Sequence, residues 1–135
     1  VYIDDYAHHP AEINAVHEAV REMYPNEKVL VVFQPHLFSR TRDFVDDFAA
    51  ALAKFDEILL LDIYPAREMP ISGVDANWLL SKIENRHKKL AKNINLVKDI
   101  KNSSAKVVVM LGAGDIGVLI NRVTNELLIT LSNET

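Results

Sequence analysis

The chain has 135 residues, 49% apolar and 25% charged, with a formal net charge of −4. Those values describe one globular domain long enough to bury a core, and they exclude a disordered or fibrous chain. The negative balance offers no basic field to nucleic acid or an anionic membrane, the lack of cysteine removes disulfides and thiolate metal sites, and no apolar run reaches the ~20 residues that span a bilayer.

Val1–Ile3 reads as a short apolar strand, and a chain that opens on Val in mid-strand is expected to be a piece of a longer one. Asp4-Asp5-Tyr6-Ala7-His8-His9 then crowds carboxylates, a phenol and imidazoles into one turn. Pro10 suits a first helical position. Ile13, Val16, Val20 and Met23 follow at helical spacing, with Ala11, Ala15 and Ala19 alongside, until Tyr24-Pro25-Asn26 ends the helix. Lys28–Phe33 is a Val-rich buried strand, and residues 34–42 read as a polar loop. Phe44, Phe48, Leu52 and Phe55 mark the next helix, whose positive end accommodates Asp43, Asp46 and Asp47.

Glu57–Leu61 is another buried strand, ending near Asp62. A loop with Pro65, Pro70 and Gly73 leads to a helix that Asp75 is placed to cap and that carries Trp78, Leu79 and Ile83. A short strand near Lys89–Ala91 and a weak helix near Leu96–Lys101 precede the clear strand Lys106–Leu111. Gly112-Ala113-Gly114 opens a last helix with Ile116, Leu119, Ile120, Val123 and Leu127 on one face.

Strands without polar alternation, separated by helices, indicate a single α/β domain: a Rossmann-like, mostly parallel sheet with helices on both faces. Such a sheet binds ligands beyond the carboxyl ends of its strands. The segments 4–9, 34–42, 62–73 and 112–115 all follow strands, so they share one rim.

Each polar segment on that rim has a plain and a functional reading. Asp4–His9 can cap its own helix, or offer a carboxylate and imidazoles to a ligand; His8, His9 and His36 could also surround a transition metal. Arg40 and Arg42 beside His36 and a helix start suit a carboxylate or phosphate, with one of the two arginines expected to pair with Asp43, Asp46 or Asp47. Arg67 and Glu68 are expected to pair with each other, and His17 and His87 to face solvent. Gly112–Gly117 matches G-x-G-x-x-G, but it sits on the last strand with no acidic strand after it, which argues for a tight turn rather than dinucleotide binding. A phosphorylation-switched receiver domain is the alternative from another class, with Asp4, Asp5 and Asp62 as its acidic set.

Read together, DDYAHHPAEI, FQPHLFSRTRDF, DIYPAREMPISGV and LGAGDIG, in that order, resemble the C-terminal domain of the Mur ligases. Within that family they most resemble the members that join L-alanine to UDP-N-acetylmuramate; tripeptide-recycling members share the DD-x-x-HHP pattern. The resemblance implies a three-domain cytoplasmic enzyme of peptidoglycan precursor synthesis. Its N-terminal UDP-binding and central ATP-binding domains are not in this chain, which has no G-x-x-x-x-G-K-[ST] loop. It implies ATP and Mg2+ as cofactors, held mainly by the central domain, and neither nucleic acid nor membrane as partner.

The implied chemistry makes an acyl phosphate from the sugar's carboxylate and the γ-phosphate of ATP. The alanine amine then attacks that carbonyl and phosphate leaves. Carried over by motif, Asp5 faces the nucleotide side, and Tyr6 and His8 line the amino-acid pocket. His36 and Arg40 hold the alanine carboxylate, and Arg42 assists. Leu37 stands where many relatives have Arg. No catalytic residue is implied for this chain alone, which is expected to be inactive by itself.

Overall fold

The computed structural model describes residues 1–112. Its strands are β1 (Tyr2–Asp5), β2 (Val29–Gln34), β3 (Glu57–Leu60), β4 (Lys88–Leu90) and β5 (Val107–Gly112). Its α-helices are α1 (Pro10–Met23), α2 (Phe38–Asp43), α3 (Val45–Leu52), α4 (Ala76–Lys82) and α5 (Leu96–Lys101). The helix expected after Gly112 lies outside the described residues.

All strand pairs are parallel, in the order β1-β5-β2-β3-β4. From β1 to β4 the chain advances in one direction across the sheet, and the connection from β4 to β5 returns. Right-handed crossovers therefore put α1, α3 and α4 on one face and α5 on the other. The core divides the same way. Val29, Val31, Phe33, Ile58, Leu60, Val107, Val109 and Leu111 pack against Ile13, Val20, Phe48, Leu52 and Leu79. The alternate residues Leu30, Val32, Leu59, Val108 and Met110 pack with Leu96 and Ile100. Successive strand side chains point to opposite faces. Burial on both sides is why β2 and β5 read as unbroken apolar runs.

Local rules fix the helix ends. Pro10 starts α1 at a position where its missing N–H costs nothing. Asp75 caps α4, its carboxylate accepting from Trp78 N–H at 2.8 Å. Several expectations need correction. Residues 34–42 are not one loop, because α2 occupies Phe38–Asp43. Ala11, Ala15 and Ala19 are exposed rather than part of the packed stripe of α1. Phe55 is buried but lies past the end of α3. His17 does not face solvent: it is half-buried against Phe55, ring centroids 4.9 Å apart, with a buried, unpartnered Nε2. His87 is exposed.

Candidate functional site

The carboxyl ends of the strands form the rim on which the polar loops lie. After β1, Asp5 Oδ1 accepts from Ala7 N–H at 2.9 Å, tying the turn that presents Tyr6 and His8. Tyr6 is 75% exposed, and its backbone carbonyl holds His8 by accepting from Nδ1 at 2.8 Å. A carbonyl only accepts, so His8 carries a proton on Nδ1, and in the neutral ring Nε2 is left as an acceptor. Glu12 lies 3.7 Å from the same Nδ1.

Beyond β2 the strand pairing continues one step, as a parallel bridge between His36 and Tyr64. Leu37 N–H donates to Tyr64 O, and Tyr64 N–H to Pro35 O, each at 2.8 Å. These bonds hold Leu37 at φ 74°, a region that disfavours a residue with a β-carbon. The reversal launches α2, whose buried Thr41 hydroxyl donates back to Leu37 O at 2.8 Å.

His36 is the hub. Its ring stacks on Tyr64, centroids 5.6 Å apart, and meets His8 edge-on at 6.3 Å. Arg40, one turn along, sets Nη1 3.4 Å from His36 Nδ1. A guanidinium only donates, so this Nδ1 accepts and the ring proton sits on Nε2. Burial pushes the His36 pKa down, as do the Arg40 charge and His8, against a smaller opposing pull from Glu68. The neutral ring required by the Arg40 contact is thus the favoured form at neutral pH.

His8, His36 and Arg40 therefore come together, with Tyr6 on the same turn as His8. Arg42 does not join them: it is exposed, and its Nε donates to Asp43 at 2.9 Å. That bond and the Asp43 charge raise its pKa. One arginine pairing with a neighbouring aspartate is what the sequence led us to expect. Arg67 and Glu68 are not the expected pair. Glu68 instead accepts from Ser39 N–H at 3.1 Å and, through its other oxygen, from the Ser39 hydroxyl. These bonds depress the Glu68 pKa, so the carboxylate is ionised at neutral pH. Tyr64, Glu68 and Ser39 are the site residues that sequence reasoning missed.

Two alternatives lose their geometry. His9 turns away from His8 and packs its ring against Phe44 at 5.0 Å, and among the described residues no group of three or more His, Asp or Glu is arranged to hold a metal. The receiver reading needs Asp62 beside Asp4 and Asp5. Here β5 and β2 intervene between β1 and β3, about 14 Å at normal strand spacing, and Asp62 pairs with Lys92 at 3.2 Å.

Residues 1–120 match the family model described as "Mur ligase, glutamate ligase domain". The chain belongs to the Mur ligase family. It is 65% identical over 127 residues to the UDP-N-acetylmuramate–L-alanine ligase of Flavobacterium psychrophilum, covering 94% of this chain and 28% of that protein. The protein of the same name from Christiangramia forsetii is 64% identical over 128 residues, 95% of this chain and 28% of its own length. The crystal structure of UDP-N-acetylmuramate–alanine ligase from Thermotoga maritima superposes with a TM-score of 0.76 at 27% identity, over 96% of this chain and 27% of that one.

The chain thus spans little more than a quarter of these relatives and corresponds to one domain of a Mur ligase. The murein peptide ligase of Psychrobacter arcticus shares the fold at a TM-score of 0.68, with 14% identity over 92% of this chain and 26% of that one. No helix among the described residues is long and apolar enough to cross a membrane.

Proposed function

We propose that this chain is the C-terminal, amino-acid-holding domain of a cytoplasmic ligase that joins L-alanine to UDP-N-acetylmuramate in peptidoglycan precursor synthesis. UDP-binding and ATP-binding domains elsewhere in the full-length protein complete that enzyme. The alanine-ligase name of relatives at 64–65% identity favours this reading over a tripeptide-recycling ligase. The observation that carries it is the convergence of Arg40, His36 and His8, with complementary protonation, on one lip of the sheet.

The protonation states assign the work. Arg40 and the Nε2–H of His36 are donors, suited to a carboxylate. His8 Nε2 is an acceptor, suited to an N–H of the alanine amine. Tyr6 borders the pocket from the same turn, and Arg42 is left as an outlying positive charge. Held at both ends, the amine meets the activated carbonyl as part of one complex, which removes much of the entropic barrier to amide formation. Selection for the methyl side chain is modest, about 1–3 kcal/mol for one methyl group.

ATP and Mg2+ supply the activation of the sugar's carboxylate. Asp4 and Asp5 are exposed at the end of β1, and Asp5 faces the nucleotide side in this reading. Among the described residues no group of three or more His, Asp or Glu is arranged to hold the metal.

Arg40→Ala in the full-length ligase tests the reading. The KM for L-alanine should rise about ten- to a hundredfold, the size of a lost hydrogen bond to a charged group, while that for ATP stays within about twofold. An equal rise in both would overturn the carboxylate assignment.

A further inference from the structure

The helix that carries Arg40 is short and poorly equipped to form. α2 has six residues, Phe38–Asp43, and helices of that length are not stable in isolation. The first N–H groups of any helix need partners from outside it. Leu37 at the N-cap offers no side-chain acceptor, and its φ of 74° is itself disfavoured.

The acceptor comes from another loop. Both Glu68 oxygens are used on Ser39, one by the backbone N–H and one by the hydroxyl. Glu68 is itself presented by a tight turn in which its N–H donates to Pro65 O at 2.9 Å, with Ala66 at φ 52°. A non-glycine residue stays in that region where surrounding bonds determine it. The same loop supplies Tyr64, whose carbonyl holds Leu37 N–H and whose ring lies on His36.

We propose that Glu68 is a positioning residue for substrate binding: by capping α2 from the loop after β3, it sets the Arg40 guanidinium against His36 where the alanine carboxylate arrives. The inference rests on the assignment of Arg40 made above. Glu68 acts on Ser39, the residue before Arg40, so loss of its carboxylate frees the first turn of α2 and lets Arg40 leave His36. The defect should fall on amino-acid binding and spare the nucleotide.

The test is steady-state kinetics of the full-length ligase carrying Glu68→Ala, Glu68→Gln, Ser39→Ala, Arg40→Ala or Glu68→Ala with Arg40→Ala. Glu68→Ala should raise the KM for L-alanine about tenfold and leave that for ATP within about twofold, the scale of a lost helix cap read through one substrate. Glu68→Gln and Ser39→Ala each keep one of the two bonds and should give about a threefold rise. In the Arg40→Ala background, Glu68→Ala should add nothing, because the helix then has no guanidinium to position.

The proposal is overturned if Arg40→Ala raises the alanine KM while Glu68→Ala leaves it unchanged. It is equally overturned if Glu68→Ala raises both KM values together, or keeps its full effect without Arg40. An alanine KM indifferent to Arg40→Ala would remove the carboxylate assignment, and this inference with it.

Discussion

Asp56→Ala should destabilise the fold by more than its half-exposed position indicates. Asp56 Oδ2 accepts from Val29 N–H at 2.8 Å and from Arg21 Nη2 at 3.1 Å, while Asp56 N–H donates to Val29 O at 3.1 Å. Val29 is fully buried and opens β2, so this exchange fixes where β2 and β3 begin to pair, Leu30 opposite Glu57. The ion pair itself is worth little: both side chains are about one-third exposed, and such pairs contribute roughly 0.2–1 kcal/mol. The stranded N–H costs more, about 1–3 kcal/mol for a buried donor that loses its acceptor. Together they give about 2 kcal/mol, which at ordinary denaturant sensitivity lowers the urea midpoint by about 1 M. Asp56→Asn keeps an oxygen for Val29 and loses only the charge, so it should shift the midpoint by less than half as much. Equal shifts for the two variants would refute the reasoning, because they would show that the charge, not the acceptor, carries the effect.

The two imidazoles whose pKa is depressed, His17 and His36, should make stability depend on pH. Burial pushes the His17 pKa down and the Arg21 charge adds to it, against a smaller opposing pull from a backbone hydrogen bond at Lys54; the Lys54 charge and Asp56 contribute lesser effects of opposite sign. A depressed histidine takes up its proton first in the unfolded chain. Stability should therefore fall as pH drops from the ordinary imidazole value, ~6.5, toward the lower folded value. His36 acts in the same direction. His17→Phe, which fills the space against Phe55, should flatten its share of the slope between pH 7.5 and pH 5 in thermal melts; an unchanged slope would count against it. In the full-length ligase the KM for L-alanine should rise as His36 protonates below pH ~6.5, because Nδ1–H then opposes the Arg40 donor. His36→Asn offers Arg40 an acceptor that does not titrate, and its alanine KM should rise less over that range than that of the unsubstituted ligase. The chain expressed alone should fold yet turn over no ATP when given UDP-N-acetylmuramate and L-alanine; turnover would sink the division of labour between domains.

How much of this was legible in the sequence follows from where each element draws its stability. β2, β3 and β5 are covered on both faces, so their apolar runs marked them directly. Asp75 capped the helix it was expected to cap, and Leu96–Lys101 formed as read. α2 was invisible because its cap lies 29 residues away and its sequence, FSRTRD, has no apolar stripe. The Arg67–Glu68 pairing failed because a turn aims neighbouring side chains apart, and Ser39 gave Glu68 two donors. Strand order was also hidden. Nothing local places β1 at one end of the strand order among the described residues, and that placement separates Asp4 and Asp5 from Asp62. His8, His36 and Arg40 lie together on the rim to which both the strand-end rule and the motifs pointed. Tyr64 and Glu68 escaped because each acts on that rim through its neighbours.

The placement of Glu68 also decides how an incoming carboxylate can be held. A helix start with free N–H groups would attract an anion unaided. In α2 that position is already filled by an anion from the chain itself, ionised because Ser39 donates to it twice. A second carboxylate placed there would meet a like charge in a confined space. On the proposed assignment it is left to the side of the helix, toward the donors of Arg40 and the Nε2–H of His36. A neutral His36 serves this arrangement better than a charged one, since protonation would set two cations face to face and break the contact that orients the guanidinium. The internal anion and the depressed imidazole thus belong to one device: the first keeps a second carboxylate off the helix start, and the second leaves Nδ1 free to accept from Arg40.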